Sequence, residues 1–249
     1  SSTSRGLGDV YKRQLLFALV GGMLAGLVTG WLHTKLMIPA ILAGILTMIA
    51  LWSINIRVMG GPNVSLLGED TAFTQMMSLL GVDQTLATLL VGVIIGIIVI
   101  AALYWFFGTE IGCALRATGN NEFMVRALGG NTDTSKVLGL VISNGLISVS
   151  GALVAQNQGY GDIKMGTGSI VIGLASIVIG EVIFGKRFNF AYILASLIGG
   201  AIVYRMIISL VLHLGLSTDD MKLFTAIIVA LALGIPALKS KYSHRRTPA

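Results

Sequence analysis

Runs of apolar residues long enough to cross a lipid bilayer recur along this chain, and no other feature narrows its fold so far. A helical span needs about 20 mostly apolar residues, because roughly 30 Å of hydrocarbon is covered at about 1.5 Å per residue. Seven segments approach that length, at residues 15–32, 38–55, 86–107, 137–156, 169–184, 190–214 and 223–238. With 55% apolar and 11% charged residues among 249, the chain has more apolar surface than one core could bury. Alternating strand patterns are absent, and the runs are too long for barrel strands. We therefore expect an all-α, polytopic transmembrane helical bundle. The second run opens at Pro39 and the fifth is short, so each is open to a reading as a broken or re-entrant helix.

In a soluble protein a net charge of +6 would suggest nucleic acid as a partner, but here the placement of the charge along the chain matters more, and no nucleic acid is expected. Lys35, then Arg116, Arg126 and Lys136, then Lys186 and Arg187, then Lys239, Lys241, Arg245 and Arg246 fall in alternate connections. The positive-inside rule assigns those connections to the cytoplasm, and with them the C-terminus. The intervening loops at 60–84, 157–168 and 215–222 are poor in Lys and Arg and carry Glu69, Asp70, Asp83, Asp219 and Asp220. Membrane lipid is an expected partner.

Residues 1–14, with Arg5, Lys12 and Arg13, break the alternation and do not form a signal peptide, since the apolar run continues into the first span without a cleavage site. We expect this stretch to be a non-native leader and further N-terminal spans to be missing. The transmembrane domain is then 15–238, with a cytoplasmic loop at 108–136 and a basic tail at 239–249. The single cysteine, Cys113, can form no internal disulfide and is expected to be a small buried residue.

Inside the spans, Gly22, Gly26 and Gly30 form a small-residue ridge, and Gly92 and Gly96 a shorter one. Such ridges let helix backbones approach closely, and packing within one chain is the simpler reading of them than a moving or subunit interface. Ser143, Asn144 and Ser148 cluster on the fourth segment and suit either a hydrated translocation pathway or interhelical hydrogen bonding. Arg205 lies midway along the sixth run, where a charge costs a few kcal/mol on insertion scales. It is open to three readings: a ligand for a substrate carboxylate, a structural ion pair, or the break between two half-helices. Glu181 reads as an interfacial residue paired with Lys186 or Arg187, with a gating contact as the alternative.

Catalytic and metal chemistry find little to work with. The stretch Gly180-Glu-Val-Ile-Phe-Gly185-Lys186-Arg187 approaches a phosphate-binding loop, but Arg187 stands where Ser or Thr must hold magnesium, and no buried strand precedes it. His33, His213 and His244 are scattered and no Cys-x-x-Cys or nucleophile elbow occurs. No metal, cofactor or catalytic residue is expected, and any ATP hydrolysis would belong to another chain.

The polar island at 109–136 is long enough to contain structure of its own. Leu115, Phe123, Val125 and Leu128 supply apolar anchors, while Gly119-Asn120-Asn121 and Gly129-Gly130-Asn131 read as turns bracketing a short helix from Glu122 to Leu128. At these residues the chain resembles the permease subunits of ABC importers in the branched-chain amino acid and ribose permease superfamily. The matching positions are Arg116, Ala117, Gly119, Asn120, Ala127, Leu128 and Gly129, followed by Lys136. The segments 33–48 and 170–181, and Tyr204-Arg205 followed by Asp220-Met-Lys222-Leu-Phe-Thr, are similar to the branch named for tryptophan or tyrosine transport, and the resemblance runs from about 15 to 240.

The resemblance implies a multi-pass subunit of the bacterial inner membrane that imports a small solute, an amino acid of aromatic type. It implies a permease homodimer, an ABC ATPase subunit and an extracytoplasmic solute-binding protein as partners. The helix around Glu122 to Leu128 would be the coupling element, with Glu122 and Arg126 making polar contacts to the ATPase. Two other classes stay open: an ion-coupled secondary carrier, against which the scarcity of Asp and Glu deep in the spans counts, and a non-transporting membrane scaffold.

Overall fold

The computed structural model describes residues 3–66, 68, 71–166, 169–184 and 190–213, with Leu223, Ile227 and Ala230. The expected seventh span and basic tail, the Lys186–Arg187 pair, and Glu69, Asp70, Asp219 and Asp220 lie outside the described residues, those three positions of the span apart.

The described chain divides into two compact units, residues 1–165 and 166–249. The first holds α1 (Thr3–Lys35), α2 (Ala40–Met59), β1 (Asn63–Ser65), α3 (Ala72–Leu80), α4 (Gln84–Gly108), α5 (Glu110–Asn120), α6 (Glu122–Ala127), α7 (Thr132–Gln158) and β2 (Tyr160–Asp162). The second holds α8 (Ser169–Phe184) and α9 (Phe190–His213). Among the described residues, five helical stretches are long and apolar enough to cross a membrane: Arg13–Lys35, Ala40–Met59, Gln84–Gly108, Thr132–Gln158 and Phe190–Leu210. The protein is thus an all-α, polytopic membrane protein apart from one small two-stranded sheet. Pro39 caps α2 rather than breaking it, as its missing N–H costs nothing there. The fifth run is a helix of 16 residues, shorter than a full span. Helix α1 runs unbroken through most of the expected leader, and the Gln14 side-chain oxygen accepts a hydrogen bond of 2.8 Å from the Gln156 side-chain NH2 on α7.

The dominant packing in the first unit is α1 against α7, and glycine makes it possible. A β-carbon at Gly22 would stand 2.5 Å from the Asn144 carbonyl oxygen and from the Ser148 side chain. One at Gly26 would stand 2.5 Å from the Leu140 carbonyl oxygen and 2.8 Å from the Val141 α-carbon. Gly30 sits against Val137 in the same way, at 3.0 Å. The ridge therefore packs within one chain, the simpler of its two readings, whereas Gly92 faces open space. Helix α2 joins α1 through a buried hydroxyl pair, Thr29 donating to Thr47 at 2.8 Å, which supplies a polar interhelical contact where lipid gives no hydrophobic drive.

At one end of these helices the connections are structured. Strands β1 and β2 pair antiparallel, Asn63 with Asp162 and Ser65 with Tyr160. This ties together the loops at 60–84 and 157–168, which the charge pattern assigned to one side. Three-residue strands are too short to leave a periodic signal. Helix α3 falls within the expected 60–84 loop, where Thr71 and Thr74 form a reciprocal cap: the Thr74 N–H donates to the Thr71 hydroxyl at 3.2 Å and the Thr71 N–H to the Thr74 hydroxyl at 2.7 Å.

In the second unit α8 and α9 cross closely at Gly180 and Gly200, whose missing side chains leave room for the Ser196 and Ser176 carbonyls. Ala175, Ile179, Tyr204 and Ile208 form the core there. Most remaining apolar side chains of both units are exposed, among them Phe17, Ile41, Leu89, Trp105 and Ile202. Such a surface requires lipid or other membrane helices as its surroundings.

Candidate functional site

The polar island folds as two helices, α5 and α6, set at the start of α7. A sharp corner ends α4: the Thr109 N–H and hydroxyl both donate to the Phe106 carbonyl, at 3.0 and 2.6 Å, and Thr109 caps α5 through the Gly112 N–H. Gly112 is required because a side chain there would enter the Phe106 carbonyl and the Phe107 backbone. Cys113, expected to be buried, is exposed just past this corner. The tight contact with α4 is made by Gly112, and Cys113 is one residue further round the helix.

Gly119 and Asn120 are not a turn but the last residues of α5. The break falls at Asn121, whose side-chain oxygen accepts the Met124 N–H at 3.0 Å and caps α6. Gly129 takes a left-handed conformation, φ +82°, and ends α6. Asn131 then caps α7, its side-chain oxygen receiving the N–H groups of Asp133 and Thr134 at 3.1 Å each.

Of the four expected anchors, two hold. Leu115 packs into the space left by Gly139 on α7, and Val125 against Gly130. Phe123 and Leu128 instead turn outward, 86% and 78% exposed, with Met124 beside them at 55%. Glu122 and Arg126 of α6 pair with the start of α7. Glu122 meets Lys136 at 2.7 Å and Arg126 at 2.9 Å, and Arg126 also meets Asp133 at 3.0 Å. At the centre stands Thr132, 2% exposed, which accepts the Arg126 Nε–H at 2.7 Å and donates to Glu122 at 3.3 Å. Thr132 was not singled out from the sequence. Its only signal was its place after the capping Asn131. The helix is thus fastened to α7 by its charges and presents its apolar side to the surroundings.

The Lys136 ammonium, donating a hydrogen bond to Glu122, holds that carboxyl below its ordinary value of 4.5, with Arg126 and Thr132 acting in the same direction. A carboxyl lowered on folding contributes stability above its unfolded value, and this is lost as pH falls through the lowered folded value. A spin label placed at Met124 is expected to be immobile at neutral pH and to gain mobility only below pH 4.5. A Glu122→Gln variant should be mobile at every pH. Equal mobility in both proteins at neutral pH would show that the network does not hold α6.

Of the expected pathway residues, Ser143 and Asn144 lie in the first unit and Arg205 in the second. Asn144 donates to its own helix at the Leu140 carbonyl, 2.9 Å away, while its backbone borders the Gly22 contact with α1. That bond lies within α7 rather than between helices. Ser143 is exposed one position away. Arg205 belongs to the second unit. Helix α9 is continuous through it, which removes the half-helix reading. Its neighbour Tyr204 is buried against α8, whereas Arg205 is exposed in an open cavity of about 440 Å³ with Ile202, Met206 and Ser209. Among the described residues no cluster of His, Cys, Asp and Glu could hold a metal.

Comparison with known proteins gives this arrangement its context. A family described as branched-chain amino acid transport system / permease component matches residues 13–235. The chain is 39% identical over 214 residues to a tyrosine transport system permease protein of Clostridioides difficile (strain R20291), covering 86% of this chain and 69% of that one. It is 33% identical over 222 residues to an uncharacterized protein of Rickettsia prowazekii (strain Madrid E), covering 88% and 77%. An autoinducer 2 import system permease protein of Yersinia pseudotuberculosis serotype O:1b (strain IP 31758) is 30% identical over 148 residues, 58% of this chain and 40% of that protein. No solved structure matches. Because the family match takes in residues 13–235, most of the chain, the chain belongs to the permease-component family of branched-chain amino acid transport systems.

Proposed function

We propose that this chain is the membrane-spanning subunit of an ATP-driven, binding-protein-dependent importer, and that its solute is an amino acid of aromatic type. The tyrosine transport name of a relative at 39% identity supports the solute class. The coupling reading rests on one observation: α6 offers Phe123, Met124 and Leu128 outward while Glu122 and Arg126 are committed to α7. An apolar knob on a rigid mount suits a cleft in a separate ATPase chain, in the manner of a helix laid in a groove.

In this mechanism ATP closes the ATPase pair and displaces α6 as a rigid body. The displacement passes through Thr132, Asp133 and Lys136 into α7, and through the glycine ridge into α1, so that the cavity changes the side it faces. Arg116, Ala117, Gly119 and Asn120 complete the cytoplasmic surface from α5, and Ala127 and Gly129 close α6. Glu122 and Arg126 act here chiefly as the mount. Two copies of the permease form the pathway, with Ser143, Asn144 and Arg205 as candidates to line it. The binding protein docks on the loops at 60–84 and 157–168, opposite the cytoplasmic C-terminus. The transmembrane domain takes in 15–238, the coupling loop 108–136 and the tail 239–249.

The test is capture of an ATPase by the full-length protein, comparing the native loop with one whose residues 119–131 are a flexible linker. The expected result is capture by the first alone. Uptake that persists with no ATPase bound would replace this reading with a secondary carrier.

A further inference from the structure

Beside the α1–α7 contact runs a groove of about 430 Å³ whose polarity changes along its length. Away from the helix ends its wall is apolar, formed by Leu27 on α1 and by Val137, Leu138 and Val141 on α7. Its mouth is polar, formed by Thr34 and Lys35 at the end of α1 and by Asn131, Asp133 and Thr134 at the start of α7. From Thr134 to Val141 the helix rises about 10 Å, the depth from a headgroup into the upper part of an acyl chain.

The hydrogen-bonding capacity at the mouth is one-sided. The Lys35 ammonium makes no ion pair among the described residues, and neither the Thr134 hydroxyl nor the Asn131 side-chain NH2 donates to any of them. The acceptors are largely occupied: the Asn131 oxygen receives two backbone N–H groups, and the Asp133 carboxylate meets Arg126. Uncommitted donors above an apolar wall call for a ligand that brings acceptors and negative charge at one end and hydrocarbon at the other.

We propose that this groove binds an anionic phospholipid, its phosphate at Lys35 and Thr134 and one acyl chain against Leu27, Val137, Leu138 and Val141. Asp133 joins this mouth to Arg126 of α6, so a bound headgroup sits beside the mount of the exposed helix. The site depends on the membrane setting of the helices and not on the ATPase reading.

The full-length protein, purified in detergent and stripped of lipid, is examined by native mass spectrometry with phosphatidylglycerol, phosphatidylcholine and glycerol 3-phosphate as probes. One Lys at a headgroup corresponds to a preference of about fivefold for phosphatidylglycerol over phosphatidylcholine. Lys35→Gln should abolish this preference, Lys35→Arg should restore it, and Leu27→Trp should reduce retention of both lipids. Equal retention of the two lipids by the native protein, or an unchanged preference in Lys35→Gln, would overturn the assignment. Displacement of phosphatidylglycerol by equimolar glycerol 3-phosphate would also overturn it, by showing a site for a free anion.

Discussion

Replacing Gly26 by Leu is expected to leave little folded protein, although leucine is the better helix former by up to about 1 kcal/mol. The reason is the neighbour. The first carbon of any side chain at this position would meet the Leu140 carbonyl oxygen at 2.5 Å and the Val141 α-carbon at 2.8 Å. Both atoms are backbone of α7 and cannot turn aside as a flexible side chain would. Overpacking of a close interface costs about 1–3 kcal/mol and sometimes more, and here α1 must lift away from α7 along the ridge. We expect a loss of at least about 3 kcal/mol, which outweighs the gain in propensity. Gly21 supplies the control, since a side chain there meets open space. Gly21→Leu should unfold in a denaturing-detergent titration at the same point as the native protein or later, and Gly26→Leu far earlier. Coincident midpoints for the two variants would mean that α1 and α7 do not pack through this ridge.

The second large effect concerns α6. Truncating Phe123 and Leu128 together to Ala is expected to abolish ATPase capture while leaving the permease folded, because both side chains are largely exposed among the described residues. Burying one such side chain contributes about 1.5–3 kcal/mol. Losing both corresponds to a fall in affinity of about 100-fold or more. The result is measured as ATPase retained on the immobilised permease, alongside the melting temperature of the permease alone. The contrasting variant is Arg126→Gln, which removes a charge from the mount. If the ATPase reads charge on α6 directly, Arg126→Gln would prevent capture and the double truncation would be tolerated. That outcome would sink the apolar-knob reading and return the contact to Glu122 and Arg126.

Several parts of this architecture were legible in the amino-acid order because they depend on local averages. Each membrane-length helix needs only enough consecutive apolar residues, and the runs at 38–55, 86–107 and 190–214 reappear as α2, α4 and α9 with ends shifted by a few residues. A short helix in the polar island was legible from its bracketing Gly and Asn residues. Helix α3 and strands β1 and β2 were not, since a nine-residue helix and two three-residue strands depend on caps and partners far away in the chain.

Contacts were the harder problem. Hydropathy marks Phe123, Val125 and Leu128 alike as apolar, yet Val125 packs against Gly130 while Phe123 and Leu128 face outward. Polarity marks Glu122, Arg126 and Asp133 as surface charges, yet together with Lys136 and the buried Thr132 they form the mount. The sequence by itself determined that this is a helical membrane protein with a structured polar loop, because the cost of placing residues in hydrocarbon adds up along the chain. Only the tertiary structure decided that α1 seats on α7 through three glycines and that α6 turns its apolar side outward. Those outcomes depend on which surfaces can approach to within a side chain's width, a relation between distant residues that no local pattern contains.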